Sequence, residues 1–196
     1  AGDLSRLYSE LVPPEAIPPP TEGSTTNKAA PGSYKNAEGL LNTCIALNIS
    51  PSELNSKFGM RSSNYWCFDS YDADELYHQV RDAPEATGAF GCYITSASLK
   101  DPETAHAPEG MSTVEVLTVV PQDLAKWGVS EEEFREGSYR KNDKYKELKQ
   151  AAEGQMVARL EAQFPGLSQH VAFKESSTPL SHRRFTFGGT AYGAAA

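Results

Sequence analysis

The sequence of 196 residues has few cysteines and no metal-binding pattern. Its three cysteines, Cys44, Cys67 and Cys92, are far apart, and no Cys-x-x-Cys pair occurs. Neither a disulfide framework nor a zinc site is therefore predicted, and the four histidines show no ligand spacing either. Because each cysteine lies in an apolar or aromatic run, we predict buried, reduced thiols. This favours a reducing intracellular compartment or organelle.

The sequence also lacks a long apolar run and an excess of positive charge. No stretch approaches the ~18 apolar residues of a membrane-spanning helix, so no transmembrane segment is predicted, although peripheral contact with a membrane stays open. The formal net charge of −8 is opposite to the basic face that binds phosphates, which argues against a nucleic-acid partner. Residues 1–11 have neither the basic nor the apolar region of a signal peptide.

Two motifs with a defined chemistry are missing. No G-x-G-x-x-G follows a strand, and the glycines of residues 188–193 (GGTAYG) have another spacing that indicates a turn or chain end. Ser181 and His182 are adjacent, but no G-x-S-x-G accompanies them, so a hydrolase is not predicted. The sequence therefore assigns no catalytic residue.

Two strand-like runs flank a loop in the middle of the chain. Residues 89–96 (AFGCYITS) and 113–120 (TVEVLTVV) are rich in β-branched and aromatic side chains. Pro102, Pro108 and Gly110 interrupt the residues between them. We predict that the two runs pair in one sheet and that residues 113–120 form a central strand.

Further strands and helices alternate around this pair. Strands are predicted at residues 40–49, 65–70 and 171–175, and capped helices begin after Ser50, Asp72 and Ser130. A long helix at residues 142–163 carries an apolar stripe: Leu148, Ala152, Met156, Leu160 and Phe164. The pattern predicts an α+β fold with a mixed, largely antiparallel sheet and helices on one face.

The sequence divides into three parts. Residues 1–39 form an N-terminal segment, in which residues 12–35 are rich in proline, glycine and serine. Such a composition predicts an extended, poorly packed linker. Residues 40–193 form the α+β domain, and residues 194–196 are the chain end.

Several motifs in this order resemble one family. They are residues 64–74 (NYWCFDSYDAD), residues 98–121, residues 145–167 ending in FPGL, and TPLSHRRFT at 178–186, which is similar to T-P-L-T-x-x-R-Y-T. Over roughly residues 40–193 the chain resembles phytoene desaturases, carotenoid isomerases and retinol saturases. The resemblance implies the substrate domain of a two-domain FAD-dependent oxidoreductase that acts on a polyene or lipid-like substrate.

The resemblance also implies site residues and partners. Arg184 takes the place of the family's arginine, where it would orient a carboxylate or the edge of the flavin, and Phe185 takes the aromatic place. Tyr192 and Gly193 match the end of a cofactor-binding A-x-Y-G element. FAD is expected in the full-length enzyme and not in this chain alone, because the dinucleotide segments are missing. The partner would be the FAD-binding remainder or a larger complex.

The residues themselves leave alternatives open. Tyr65, Trp66 and Phe68 alternate, so Tyr65 faces one side of a strand while Trp66 and Phe68 face the other. One face is core, and the other either lines an apolar substrate site or is core as well. Arg184 would otherwise form a salt bridge with an acidic side chain. The whole chain would otherwise be a non-catalytic structural or assembly subunit, or a lipid-binding module without flavin.

Overall fold

The computed structural model describes residues 38–83, 85–86 and 91–186, together with Pro13 and Glu15. The rest of the proline-rich linker, the first two residues of the strand predicted at 89–96, and the predicted cofactor contacts Tyr192 and Gly193 lie outside this part.

The described residues form a five-stranded antiparallel sheet in the order β2-β3-β4-β1-β5. The strands are β1 (Gly39–Leu47), β2 (Tyr65–Cys67), β3 (Cys92–Thr95), β4 (Ser112–Val120) and β5 (Val171–Ser177). Strand β4 is central and pairs with both β1 and β3, so the prediction for residues 113–120 is confirmed. The strand predicted at 65–70 ends earlier, at Cys67, and that predicted at 171–175 runs on to Ser177.

Six α-helices accompany the sheet in the described part of the chain. They are α1 (Pro51–Phe58), α2 (Ala73–Asp82), α3 (Ala97–Lys100), α4 (Glu131–Glu136), α5 (Asp143–Gln163) and α6 (Pro179–Thr186). The predicted caps are present: Ser50, Asp72 and Ser130 each accept a hydrogen bond from the backbone of the first turn. The α+β fold class is confirmed. None of these helices is both long enough and apolar enough to cross a membrane.

The two faces of the sheet differ because the side chains alternate along each strand. In β1 and β4 every second residue is buried, including Leu41, Ile45, Val114 and Val116. Helix α5 covers this face with Leu148, Ala152, Met156 and Leu160, which belong to the same apolar core. The remaining side chains of the strands point to the opposite face, which we call the open face.

Helix α6 is anchored at the helix-covered face. Leu180 is fully buried, and the Tyr145 and Thr178 hydroxyls are hydrogen-bonded at 2.9 Å. Pro179 lies so close to Gly39 that a β-carbon there would overlap the proline ring. Because Gly39 belongs to the buried set of β1, the start of α6 packs under the sheet.

Candidate functional site

The open face carries an apolar groove of about 650 Å³. Its size lies in the ~300–1,000 Å³ range of small-molecule sites. Residues from four strands, from the segments beside them and from helix α2 line it: Glu38, Leu40, Asn64, Trp66, Phe68, Tyr77, Gly91, Cys92, Tyr93, Leu117, Thr118 and Val119. We call it the aromatic groove.

The strand register sets the order of side chains in the aromatic groove. Trp66 is paired with Tyr93, and Tyr93 is paired with Leu117, so these three form one row across β2, β3 and β4. Leu40 and Val119 are paired in the neighbouring row. The floor of the groove is therefore built from side chains that alternation directs away from the core.

Aromatic rings form one wall of the groove. The Trp66 ring stacks on Phe68 with 6.1 Å between centroids and packs edge-on against Tyr93 at 4.8 Å. Trp66 and Phe68 are 64% and 51% exposed. Such a large exposed apolar cluster marks a binding surface more often than a chance surface feature.

A smaller depression of about 450 Å³ adjoins the aromatic groove. It shares Trp66 and Phe68 with the groove, and Tyr71 and Leu76 also line it. The two rings are therefore accessible from both sides. An extended ligand can contact both depressions along one surface.

Polar groups lie at the two ends of the groove. At one end the Asn64 side-chain oxygen accepts hydrogen bonds from the Thr95 hydroxyl, at 3.2 Å, and from the Lys100 ammonium. Glu38 lies at the other end, one row beyond Leu40. Between these ends the lining is largely apolar, which suits a long neutral ligand.

An ion pair fixes the chain just after Phe68. Both guanidinium NH₂ groups of Arg159 donate to the Asp69 carboxylate, at 3.1 and 2.5 Å. Hydrogen bonding from Arg159 lowers the pKa of Asp69, so the carboxylate stays charged at neutral pH. Because Arg159 belongs to α5, this pair ties the aromatic wall to the helix layer.

The structure separates the predicted site residues into two groups. Trp66 and Phe68 line the groove, whereas Tyr65 points to the helix-covered face, where its ring packs edge-on against Phe164 at 5.1 Å. Arg184 and Phe185 are exposed on α6, and neither lines the groove. The predicted salt bridge belongs instead to the neighbouring Arg183, which binds the Glu131 carboxylate through two hydrogen bonds and lies over the Phe134 ring.

Sequence reasoning missed most of the groove. Leu40, Tyr77, Tyr93, Leu117 and Val119 were not predicted as site residues, although the alternation of TVEVLTVV placed Leu117 and Val119 on one face. The prediction of a buried thiol is wrong for Cys44, which is exposed. The reason is that Cys44 occupies an open-face position, between Glu115 of β4 and Glu175 of β5.

The described residues do not fit a dinucleotide. A pyrophosphate cradle needs a glycine-rich turn between a parallel strand and a helix, whereas every strand pairing in this part of the chain is antiparallel. Three of the six left-handed glycines in the described residues, Gly59, Gly128 and Gly137, end helices. The same residues include no group of three acidic, histidine or cysteine side chains placed to hold a metal ion.

No protein-family model matches the chain, and no curated protein matches it.

Proposed function

We propose that the chain is the substrate-binding portion of an FAD-dependent oxidoreductase resembling phytoene desaturases and carotenoid isomerases. It holds an unsaturated apolar substrate in the aromatic groove. The observation that carries this proposal is the groove itself, with Trp66 and Phe68 exposed side by side on the open face of the sheet. Family membership is supported by the sequence motifs alone.

The lining chemistry supports a flat, neutral, elongated ligand. Aromatic faces bind other π-systems in stacked or edge-on geometry, and Trp66, Phe68 and Tyr93 offer both orientations. Leu40, Leu117 and Val119 add an aliphatic floor. Binding of an apolar ligand there is favoured because it removes apolar surface from water. A conjugated hydrocarbon chain contacts such a floor along its whole length.

Removing either ring of the wall is expected to weaken polyene binding. All-trans-retinol is the probe, and its own fluorescence reports binding to the full chain. Trp66→Ala and Phe68→Ala should each raise the Kd about tenfold, which corresponds to ~1.4 kcal/mol of lost contact. Both side chains are surface-exposed, so little stability should be lost.

Phe173→Ala is the matched control for these two variants. Phe173 is another exposed aromatic residue on the open face, 63% exposed, but it does not line the groove. Its Kd for retinol should equal that of the unchanged chain. An equal loss of affinity in all three variants, or no retinol binding at all, would contradict the proposed groove.

An assembly subunit is the second candidate, and Phe173 is the observation that favours it. Phe173 is paired with Ala46, which is paired with Thr113, so the open face extends beyond the groove to the edge strand β5. A protein partner could cover this larger surface. In that case Phe173→Ala would weaken assembly while retinol binding stayed absent or unchanged.

The chain alone is expected to bind no FAD. The described sheet offers no phosphate cradle, and Arg184 lies on α6, outside the groove, where it stays available to an FAD-binding remainder. Titration of FAD with the full chain should leave flavin fluorescence unquenched up to micromolar protein. Saturable quenching in that range would show that the chain carries its own cofactor site.

A further inference from the structure

Two of the three cysteines are opposite each other across the β2–β3 pair. Cys67 and Cys92 are direct register partners, although 24 residues separate them between the two strands. Both face the helix-covered side, where Cys92 belongs to the apolar core and Cys67 packs against it. Cys92 is 4% exposed, whereas Cys67 is only partly buried and donates to the Gln163 side-chain oxygen at 3.5 Å.

The position of the pair suits a disulfide. Opposed residues in an antiparallel pair have α-carbons ~4.5–5.5 Å apart, inside the ~4.4–6.8 Å range that disulfides span. The third cysteine, Cys44, lies on the opposite face of the sheet and takes no part.

The two thiols differ in reactivity because their surroundings differ. Burial raises the pKa of Cys92 to about 12, and the adjacent Cys67 adds to that increase. Cys92 therefore keeps its proton, and Cys67, which solvent reaches, is the thiol that meets a reagent first. The positive charge of Arg159 acts to lower the pKa of Cys92, so it would stabilise a thiolate that forms there.

We propose that Cys67 and Cys92 are a redox-active dithiol that a small disulfide of the glutathione class oxidises to a cross-strand disulfide. The Cys67 thiolate attacks one sulfur of glutathione disulfide and forms a mixed disulfide, and one glutathione leaves as a thiolate that takes up a proton from water. Cys92 then gives its proton to water, its thiolate attacks the Cys67 sulfur, and the second glutathione leaves as a thiolate that is protonated in turn. The dithiol loses two electrons and two protons, and glutathione disulfide becomes two thiols.

The disulfide would act on the neighbouring aromatic wall. Trp66 and Phe68 flank Cys67 in sequence, and β2 has only three residues to hold them. A covalent link at Cys67 fixes the end of this short edge strand. This inference does not depend on which ligand the aromatic groove binds.

Equilibration of the full chain with glutathione redox buffers tests the proposal. After acid quenching and alkylation in denaturant, free thiols should fall from three to one as the buffer becomes oxidising, and peptide mapping should find Cys67 linked to Cys92. In the Cys44→Ser variant the Cys67–Cys92 disulfide should form at the same ratio of glutathione to glutathione disulfide. A disulfide that includes Cys44, or three alkylated thiols in oxidising buffer, would overturn the proposal.

Two single variants test the order of attack. Cys92→Ser should accumulate a stable glutathione adduct on Cys67, because the resolving thiol is gone. Cys67→Ser should leave Cys92 unmodified over the same time, because Cys92 is buried. Circular dichroism confirms that each variant is folded before it is oxidised. An adduct on Cys92 in folded Cys67→Ser would show that Cys67 is not the entry point.

Discussion

Met156→Asp is expected to unfold the domain. Met156 is 1% exposed and lies in the middle of the α5 stripe, packed in the core between the helix and the sheet. An aspartate there loses the packing of a long apolar side chain, which costs ~2–5 kcal/mol, and also buries a carboxylate without a partner. Together these losses match much of the ~5–15 kcal/mol that stabilises a domain. Far-UV circular dichroism and thermal melting measure the effect.

Ala158→Asp is the control on the same helix. Ala158 is two residues away and exposed, so the same new charge meets water instead of the core. It should change the melting temperature little. A folded Met156→Asp chain with an unchanged melting temperature would show that α5 does not pack on the sheet through this stripe.

The fold was predictable where one strong pattern decided the local structure. The α5 stripe repeats every four residues, and Leu148, Met156 and Leu160 are buried as that spacing requires. The helix starts were predictable because a side-chain cap is a local interaction, as at Ser50 and Ser130. Strand β4 was recognisable because its β-branched residues favour extended backbone.

The groove was less predictable because both faces of β4 carry apolar side chains. Val114 and Val116 face the core, whereas Leu117 and Val119 face the groove, and their side chains are chemically alike. Composition alone cannot decide which face a helix covers, since that depends on where α5 returns to the sheet. The sequence indicated only that Trp66 and Phe68 share a side, which the structure confirms.

Tertiary arrangement also explains the cysteines and α6. Cys67 and Cys92 are opposed through the register of β2 against β3, which no local pattern encodes. The family resemblance of the TPLSHRRFT motif predicted Arg184 as a site residue. In the structure this motif belongs to a helix that packs under the sheet, and Arg184 is not brought to Trp66.

Gly91→Ala is expected to damage both stability and the groove. Gly91 has φ +106°, a backbone conformation that favours glycine, and a β-carbon there would overlap the Cys67 carbonyl oxygen and lie 3.1 Å from the Phe68 α-carbon. Its own carbonyl oxygen accepts a hydrogen bond from the Thr118 hydroxyl at 2.6 Å, so the glycine cannot move away freely. Strand β2 would have to shift, and Phe68 would shift with it.

Two other glycines separate the causes of this effect. Gly110 also has a positive φ, +77°, but no atom lies within 4 Å of its added β-carbon. Backbone strain alone should therefore lower the stability of Gly110→Ala by about 1 kcal/mol. Gly154 lies in α5 with open space around it, and Gly154→Ala should raise the free energy of unfolding by ~0.5–1 kcal/mol.

Gly91→Ala should lower the free energy of unfolding, measured in urea, by at least about 2 kcal/mol, because backbone strain and steric overlap add. It should also weaken retinol binding, whereas the other two variants should not. Equal stability losses at Gly91 and Gly110 would mean that β2 does not pack against Gly91, and the placement of Trp66 and Phe68 in the groove would then be wrong.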